Sequence, residues 1–502
     1  MARRDSQNGA MATDAEIRAA ARTFIASAFA ALREEHVIPT PIYHPYVAVG
    51  RDYFGDTIRG AAGHAELERL LDETYPERFA EPLKRRHAEF ASGYIFSFLE
   101  AAIARCARQE WSGNFDPDST AVDETIDELL AVLATATNEI VCCRHVSHLT
   151  TTSGEEVQLN DVTVVPETEM RELTDRIQRE VRGAARVWNR DDPRPYAPPH
   201  SLLIVREISD DPAPYDVAER LSRRLERFLL LASLLTAGTM QSVYEIAGAT
   251  TLVARMNPIM NTFRAGWFGG RVRRTVRLSG DQAEAFAAID QVIDAAEVKR
   301  EGMAATSFDV ALAKFNRSHS EDNPYEHLVD LATTLEAALI GAERETEGLT
   351  LRLRGRLAAL LATDDDPAET LFADVGHLYG LRSKLVHGGQ ISQKELHKAI
   401  TKISTVPTET VSEYRFGVAV GHAVDRMRDL VRRAILARLC LAAGPDALWP
   451  FAGDINVDAV LADDAKRKLW RSRWHERLDE LGVGQAGSPP SPAVDALTQE
   501  DR

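Results

Sequence analysis

Apolar residues recur at intervals of three and four through most of the chain, the signature of helices with one buried face. Up to about Arg144 this spacing predicts helices over 15–35, 65–71, 78–109 and 122–136, with Asp118 and Ser119 as helix-start residues for the last. The pattern breaks at TTSGEEVQLNDVTVVPE. There Val157, Leu159, Val162 and Val164 fall in short runs on either side of Asn160-Asp161, which predicts a hairpin or a pair of short strands. Helical spacing returns over 170–188, and the prolines of DDPRPYAPPH (191–200) end it in a linker or long loop. Further on, 201–208 reads as a buried strand, 217–235 as a long apolar helix and 271–278 as an alternating strand. Ser279 with Gln282 three residues later is a capping-box pattern that opens a helix to Ala296.

Helices then follow almost without interruption: 308–317, 325–344, 349–361, 367–387, 394–403 and 409–441. The expected fold is therefore mainly α, with a mixed α+β N-terminal region (15–300) ahead of an all-α region (305–445). Residues 1–14 read as a disordered arm, 446–481 as a short helical extension and the Gly/Pro/Ser-rich 482–502 as a disordered tail. No internal repeat is visible.

Composition narrows the function. Of 502 residues 44% are hydrophobic and 27% charged, ordinary for a globular chain, and no apolar run reaches the ~20 residues of a membrane span. The N-terminus has no apolar stretch after Arg3 and Arg4, and Cys106, Cys142, Cys143 and Cys440 are too few for a disulfide framework, so the expected location is the cytoplasm. The net charge of -17 argues against a standing, high-affinity nucleic-acid binder but not against an enzyme that meets RNA transiently. There is no Gly-Lys dipeptide and no H-E-x-x-H, G-x-S-x-G or C-x-x-C, and no nucleotide cofactor or metal is expected.

The informative segment is LFADVGHLYGLRSKLVHGGQ (371–390). At about 100° per residue, Leu371, Val375, Leu378, Tyr379, Leu385 and Val386 fall within roughly 60° of Arg382, so an arginine sits inside an apolar stripe. Buried arginines are rare unless paired. Arg382 is therefore either half of a core ion pair, with Glu336 or Asp330 as candidates, or part of a pocket wall. His387 lies about 140° further round an ideal helix, so the two meet only if the last turn loosens or a second copy packs across a two-fold axis.

With the upstream helix HLVDLATTLEAALIG (327–341) and the long helix after it, the string Arg382-Ser383-Lys384-Leu385-Val386-His387 resembles the HEPN superfamily, in its Apea-like branch, over about 305–440. The resemblance implies an all-α domain that forms a homodimer, with two copies of the motif in one cleft that cuts RNA without metal. In that reading Arg382 and His387 are catalytic and Ser383 and Lys384 bind substrate. The chemistry of the side chains agrees: an imidazole moves a proton near neutral pH, and a guanidinium clamps a phosphate. Serine at 383, where many active relatives carry Asn, Asp or His, cannot act as a second acid or base, so the alternative is a non-catalytic RNA- or ligand-binding module using the same cleft. Residues 15–300 would then be the sensor.

Three further clusters stand out. Cys142-Cys143-Arg144-His145-Val146-Ser147-His148 holds four metal-type ligands at spacings poor for one tetrahedral site, and reads as core cysteines with surface histidines. Arg264, Trp267, Phe268, Arg271, Arg273, Arg274 and Arg277 mix cations with aromatics, as single-strand RNA grooves do, or form the solvated side of a strand. Lys466, Arg467, Lys468, Trp470, Arg471, Arg473 and Trp474 form a second such patch, which surface snorkelling explains nearly as well.

Overall fold

The computed structural model describes residues 12–34, 56–76, 90–106, 117–135, 137–167, 199–209, 214–238, 240–250, 259–262, 274–298, 306–318, 324–341, 348–386, 393–407, 416–451 and 455–490. Helices make up most of these residues, and the class is mainly α with a small antiparallel sheet. Among the described residues, no helix is long and apolar enough to cross a membrane.

Among the described residues the first helices are α1 (Asp14–Glu34), α2 (His64–Thr74), α3 (Phe90–Cys106) and α4 (Ser119–Ala134), which enclose a core of their own around Phe24, Phe29, Phe98 and Leu129. The predicted start of α4 is realised: the Asp118 carboxylate accepts from the Ala121 N–H at 2.8 Å.

Among the described residues eight strands follow: β1 (Asn138–Ser147), β2 (Leu149–Thr151), β3 (Val157–Leu159), β4 (Val162–Glu167), β5 (His200–Ser209), β6 (Gln241–Ala249), β7 (Ile259–Thr262) and β8 (Val276–Leu278). Six form one antiparallel sheet in the order β3-β4-β5-β1-β6-β7; β2 and β8 pair in parallel beside it. The expected hairpin is present, turning at Asn160, whose φ of 52° is left-handed and suits asparagine. The expectation of helix up to Arg144 is corrected, because 138–147 is the central strand β1. Its residues are buried on both faces of the sheet, so no two-residue alternation shows in the sequence.

Between β5 and β6 runs α5 (Pro214–Leu235), and α6 (Ala283–Val298) follows β8 through the expected Ser279–Gln282 capping box. Then come α7 (Ser307–Arg317), α8 (Pro324–Leu339), α9 (Leu349–Leu361), α10 (Ala368–Val386), α11 (Gln393–Ile400), α12 (Phe416–Ala442), α13 (Val457–Ala462) and α14 (Asp464–Glu480). One continuous core joins a face of the sheet, α5 and α6 to these helices, so apolar packing crosses residue 305 without a break.

The tail expected from 482 is in part a packed segment. A 3-10 turn at Gly484–Gly487 buries Ala486 against Trp474, and Arg432 of α12 donates to the carbonyls of Ala486 and Ser488. Glycine at 487 suits the approach, since a Cβ there would lie 2.9 Å from the Trp474 ring. The helix expected over 170–188, the linker at 191–198, residues 1–11 and residues 491–502 lie outside the described residues.

Candidate functional site

The helix α10 buries Leu371, Val375, Leu378 and Tyr379, the stripe its spacing predicts. Val386, expected in that stripe, is 49% exposed, so the apolar face ends before the last turn. Arg382 is partly buried, with its side chain 22% exposed. Its Nη2 lies 3.8 Å from Glu336 Oε2 of α8, a contact too long for a hydrogen bond. That carboxylate oxygen already accepts the Tyr379 hydroxyl at 2.9 Å, and the Arg382 guanidinium sits 5.6 Å from the centre of the Tyr379 ring. Burial, reinforced by the bond to Glu336, pushes the Tyr379 phenol up to about 12. Arg382 Nε is buried with no hydrogen-bond acceptor among the described residues. Asp330, the other candidate partner, is taken by Lys314 at 2.6 Å.

Ser383 is half-buried beside Arg382. The Lys384 side chain and all of His387 lie outside the described residues.

Three arginines of α12 do form core ion pairs. Arg426 binds Asp366 with two nitrogens, at 2.8 and 2.9 Å, and Asp374 with its Nε at 2.9 Å. Arg433 bridges Asp366 and Asp429, and Arg432 bonds Asp429 at 2.7 Å. Three guanidinium groups thus meet three carboxylates, and Asp374 also accepts the N–H and hydroxyl of Ser404. The neighbouring guanidiniums hold the Asp366 carboxyl below its usual range despite its burial. A signal for this network is present in the sequence: Asp429-x-x-Arg432-Arg433 at helical spacing inside an apolar run meets the same test that singled out Arg382.

The histidines at 145 and 148 are buried, which corrects the expectation of surface positions. On the face of the sheet away from α5, His145 Nε2 lies 2.8 Å from His200 Nδ1, and the His145 ring meets Tyr244 edge-on at 4.9 Å between centres. Burial lowers both imidazoles, His200 to about 4. Arg144, on the opposite face, pairs with Glu245 and with Glu226 of α5. The cysteines at 142 and 143 are core residues as expected, and among the described residues no group of three or more His, Cys, Asp or Glu side chains is placed to hold a metal ion.

In the second basic-aromatic patch the tryptophans and Arg471 dock α14, while Lys466 and Lys468 are exposed. Trp470 and Trp474 are buried, Trp474 Nε1 donates to Leu360 O at 3.3 Å, and Arg471 donates to Ala358 O at 3.1 Å. Of the first patch only Arg274 and Arg277 are described, and Arg277 is exposed on β8.

The fold and site together define a mainly α chain built on a small antiparallel sheet, with an under-bonded arginine near the end of one helix. No family model, no curated protein and no solved structure matches the chain.

Proposed function

We propose that the chain is a cytoplasmic, metal-independent endoribonuclease of HEPN type that acts in defence or growth arrest as a homodimer. Arg382 and His387 from two copies share one cleft, with Ser383 and Lys384 holding the substrate backbone. One observation carries this reading. Arg382 is the arginine of the apolar stripe that is not used up in a core pair, since its Nε lacks an acceptor and its nearest carboxylate, at 3.8 Å, is bonded to Tyr379. A guanidinium so placed has donors to give to a phosphate.

In the reaction, His387 of one copy takes the proton of a ribose 2′-OH as that oxygen bonds to phosphorus. The bond from phosphorus to the 5′-oxygen breaks, and the leaving oxygen takes a proton from the second His387. Arg382 offsets the charge that builds on the phosphoryl oxygens. The products are a 2′,3′-cyclic phosphate and a 5′-hydroxyl end.

The test is cleavage of end-labelled single-stranded RNA by the full chain in EDTA. Cyclic phosphate ends are expected, with no cutting of DNA, which lacks the attacking hydroxyl. Arg382→Ala and His387→Ala should each abolish the cut. Activity that disappears on chelation and extends to DNA contradicts the assignment. Absence of cleavage under every condition favours the non-catalytic module, the reading to which Ser383 points.

A further inference from the structure

The short helix α11 is one-sided. Leu396 and Ile400 are buried, as is Ile403 in the turn that follows, while Lys394, Lys398 and Lys402 are exposed. Residues four apart on a helix stand about 6 Å from one another at Cβ. The Thr401 N–H bonds His397 O at 3.0 Å and the Lys402 N–H bonds Ala399 O at 3.4 Å, so the helical path continues and brings Lys402 into the same row. None of the three ammonium groups has an ion-pair or hydrogen-bond partner among the described residues. Elsewhere in this chain of net charge -17, Lys314 is neutralised by Asp330, and Arg426, Arg432 and Arg433 of α12 by aspartates. Glu395 is the acidic residue on the same helix.

The row has a direction. Ser404, just past α11, donates its N–H and hydroxyl to Asp374 in the middle of α10, at 2.9 and 2.6 Å. The link 387–392 joins the end of α10 to the start of α11, so α11 runs back along α10. Lys394 therefore stands at the Arg382 end. Lys402 stands near His377, where burial first and the Lys402 charge second hold the imidazole below its ordinary value.

We propose that the Lys394–Lys398–Lys402 row is a track for the sugar-phosphate backbone of single-stranded RNA, leading the strand to the Arg382 end of α10. The inference rests on the RNA reading above. The spacing of the lysines is close to that of successive phosphates on an extended strand, and three contacts give the weak, salt-sensitive hold that an enzyme releasing its product requires.

The test uses the full chain and the triple variant Lys394→Glu, Lys398→Glu, Lys402→Glu, with thermal melts confirming that both fold. Binding is read by fluorescence anisotropy on a labelled 2′-O-methyl single strand, which lacks the attacking hydroxyl. Cleavage is read separately on ordinary RNA. Between about 50 and 200 mM salt the variant should bind at least about tenfold more weakly, with a log–log salt slope shallower by about 2, roughly 0.7 per lost phosphate contact. Lost binding together with a wild type that cuts RNA supports both proposals. Lost binding with a wild type that never cuts supports the track and removes the nuclease reading. A variant that binds and cuts as wild type overturns the track alone. A wild type that shifts no RNA overturns the track, and if it instead binds phosphatidylserine vesicles the row belongs to a membrane surface.

Discussion

At the scale of single residues, the two kinds of arginine in the helical region separate by what their removal leaves behind. Arg426→Ala strips Asp366 and Asp374 of a guanidinium that binds both inside the core, and should destabilise by about 3–5 kcal/mol, the usual cost of an orphaned buried charge. Arg382→Ala removes only a 3.8 Å contact between side chains 22% and 28% exposed, worth under about 1 kcal/mol. Urea denaturation of the two variants compares them directly. An equal, large fall in midpoint would make Arg382 a core residue and leave the cleft without its phosphate clamp. The sequence placed Arg382 correctly on the buried side of its helix and named Glu336 among its partners. It could not show that Tyr379 takes that carboxylate, because the bond depends on how α8 and α10 pack.

At the scale of elements, helices were legible and the centre of the sheet was not. An amphipathic helix writes its burial into a repeat of three and four, and α1, α5, α7 and α9 fall within a few residues of where that repeat puts them. The strands β1 and β6 are covered on both faces, and the runs NEIVCCRHVS and QSVYEIAGA carry no alternation to betray them. The histidines of β1 and β5 make the sheet sensitive to acid. In the unfolded chain each imidazole titrates near its ordinary value of about 6.5. In the fold burial lowers both, His200 to about 4. Between those limits the unfolded chain binds more protons than the folded one, so stability is fully present above about pH 6.5 and falls as pH drops toward 4. Each such histidine adds a slope of up to about 1.4 kcal/mol per pH unit. Thermal midpoints measured from pH 7 to 4.5 should fall, and His200→Gln should flatten the profile. An unchanged profile in that variant would show that the carboxylates alone set the acid response.

At the scale of the whole molecule, the proposed homodimer is checked by light scattering, which at micromolar concentration should return twice the chain mass of 55.5 kDa. A monomer at every concentration removes the shared cleft. The relation between the two halves of the chain follows from packing. A boundary near 300–305 suits the change from mixed to purely helical patterning, yet the core ignores it. Polar bonds cross it as well: Arg428 donates to Ser233 at 3.2 Å, Asn316 to Glu226 at 3.1 Å, and the Arg274 N–H to Asp425 at 3.1 Å. Cutting there would expose one face of the sheet with α5 on one side and the buried arginines of α12 on the other, at roughly 25 cal/mol for each Å² of apolar surface returned to water. A fragment of residues 305–502 should therefore be aggregated or molten, with weak near-ultraviolet circular dichroism and dye-binding apolar surface. The fragment 12–135 encloses its own core and should melt cooperatively. Two regions joined through one core transmit a change by repacking that core, whereas regions on a free linker act by proximity. Cooperative melting of 305–502 on its own would favour the linker arrangement and contradict the shared core.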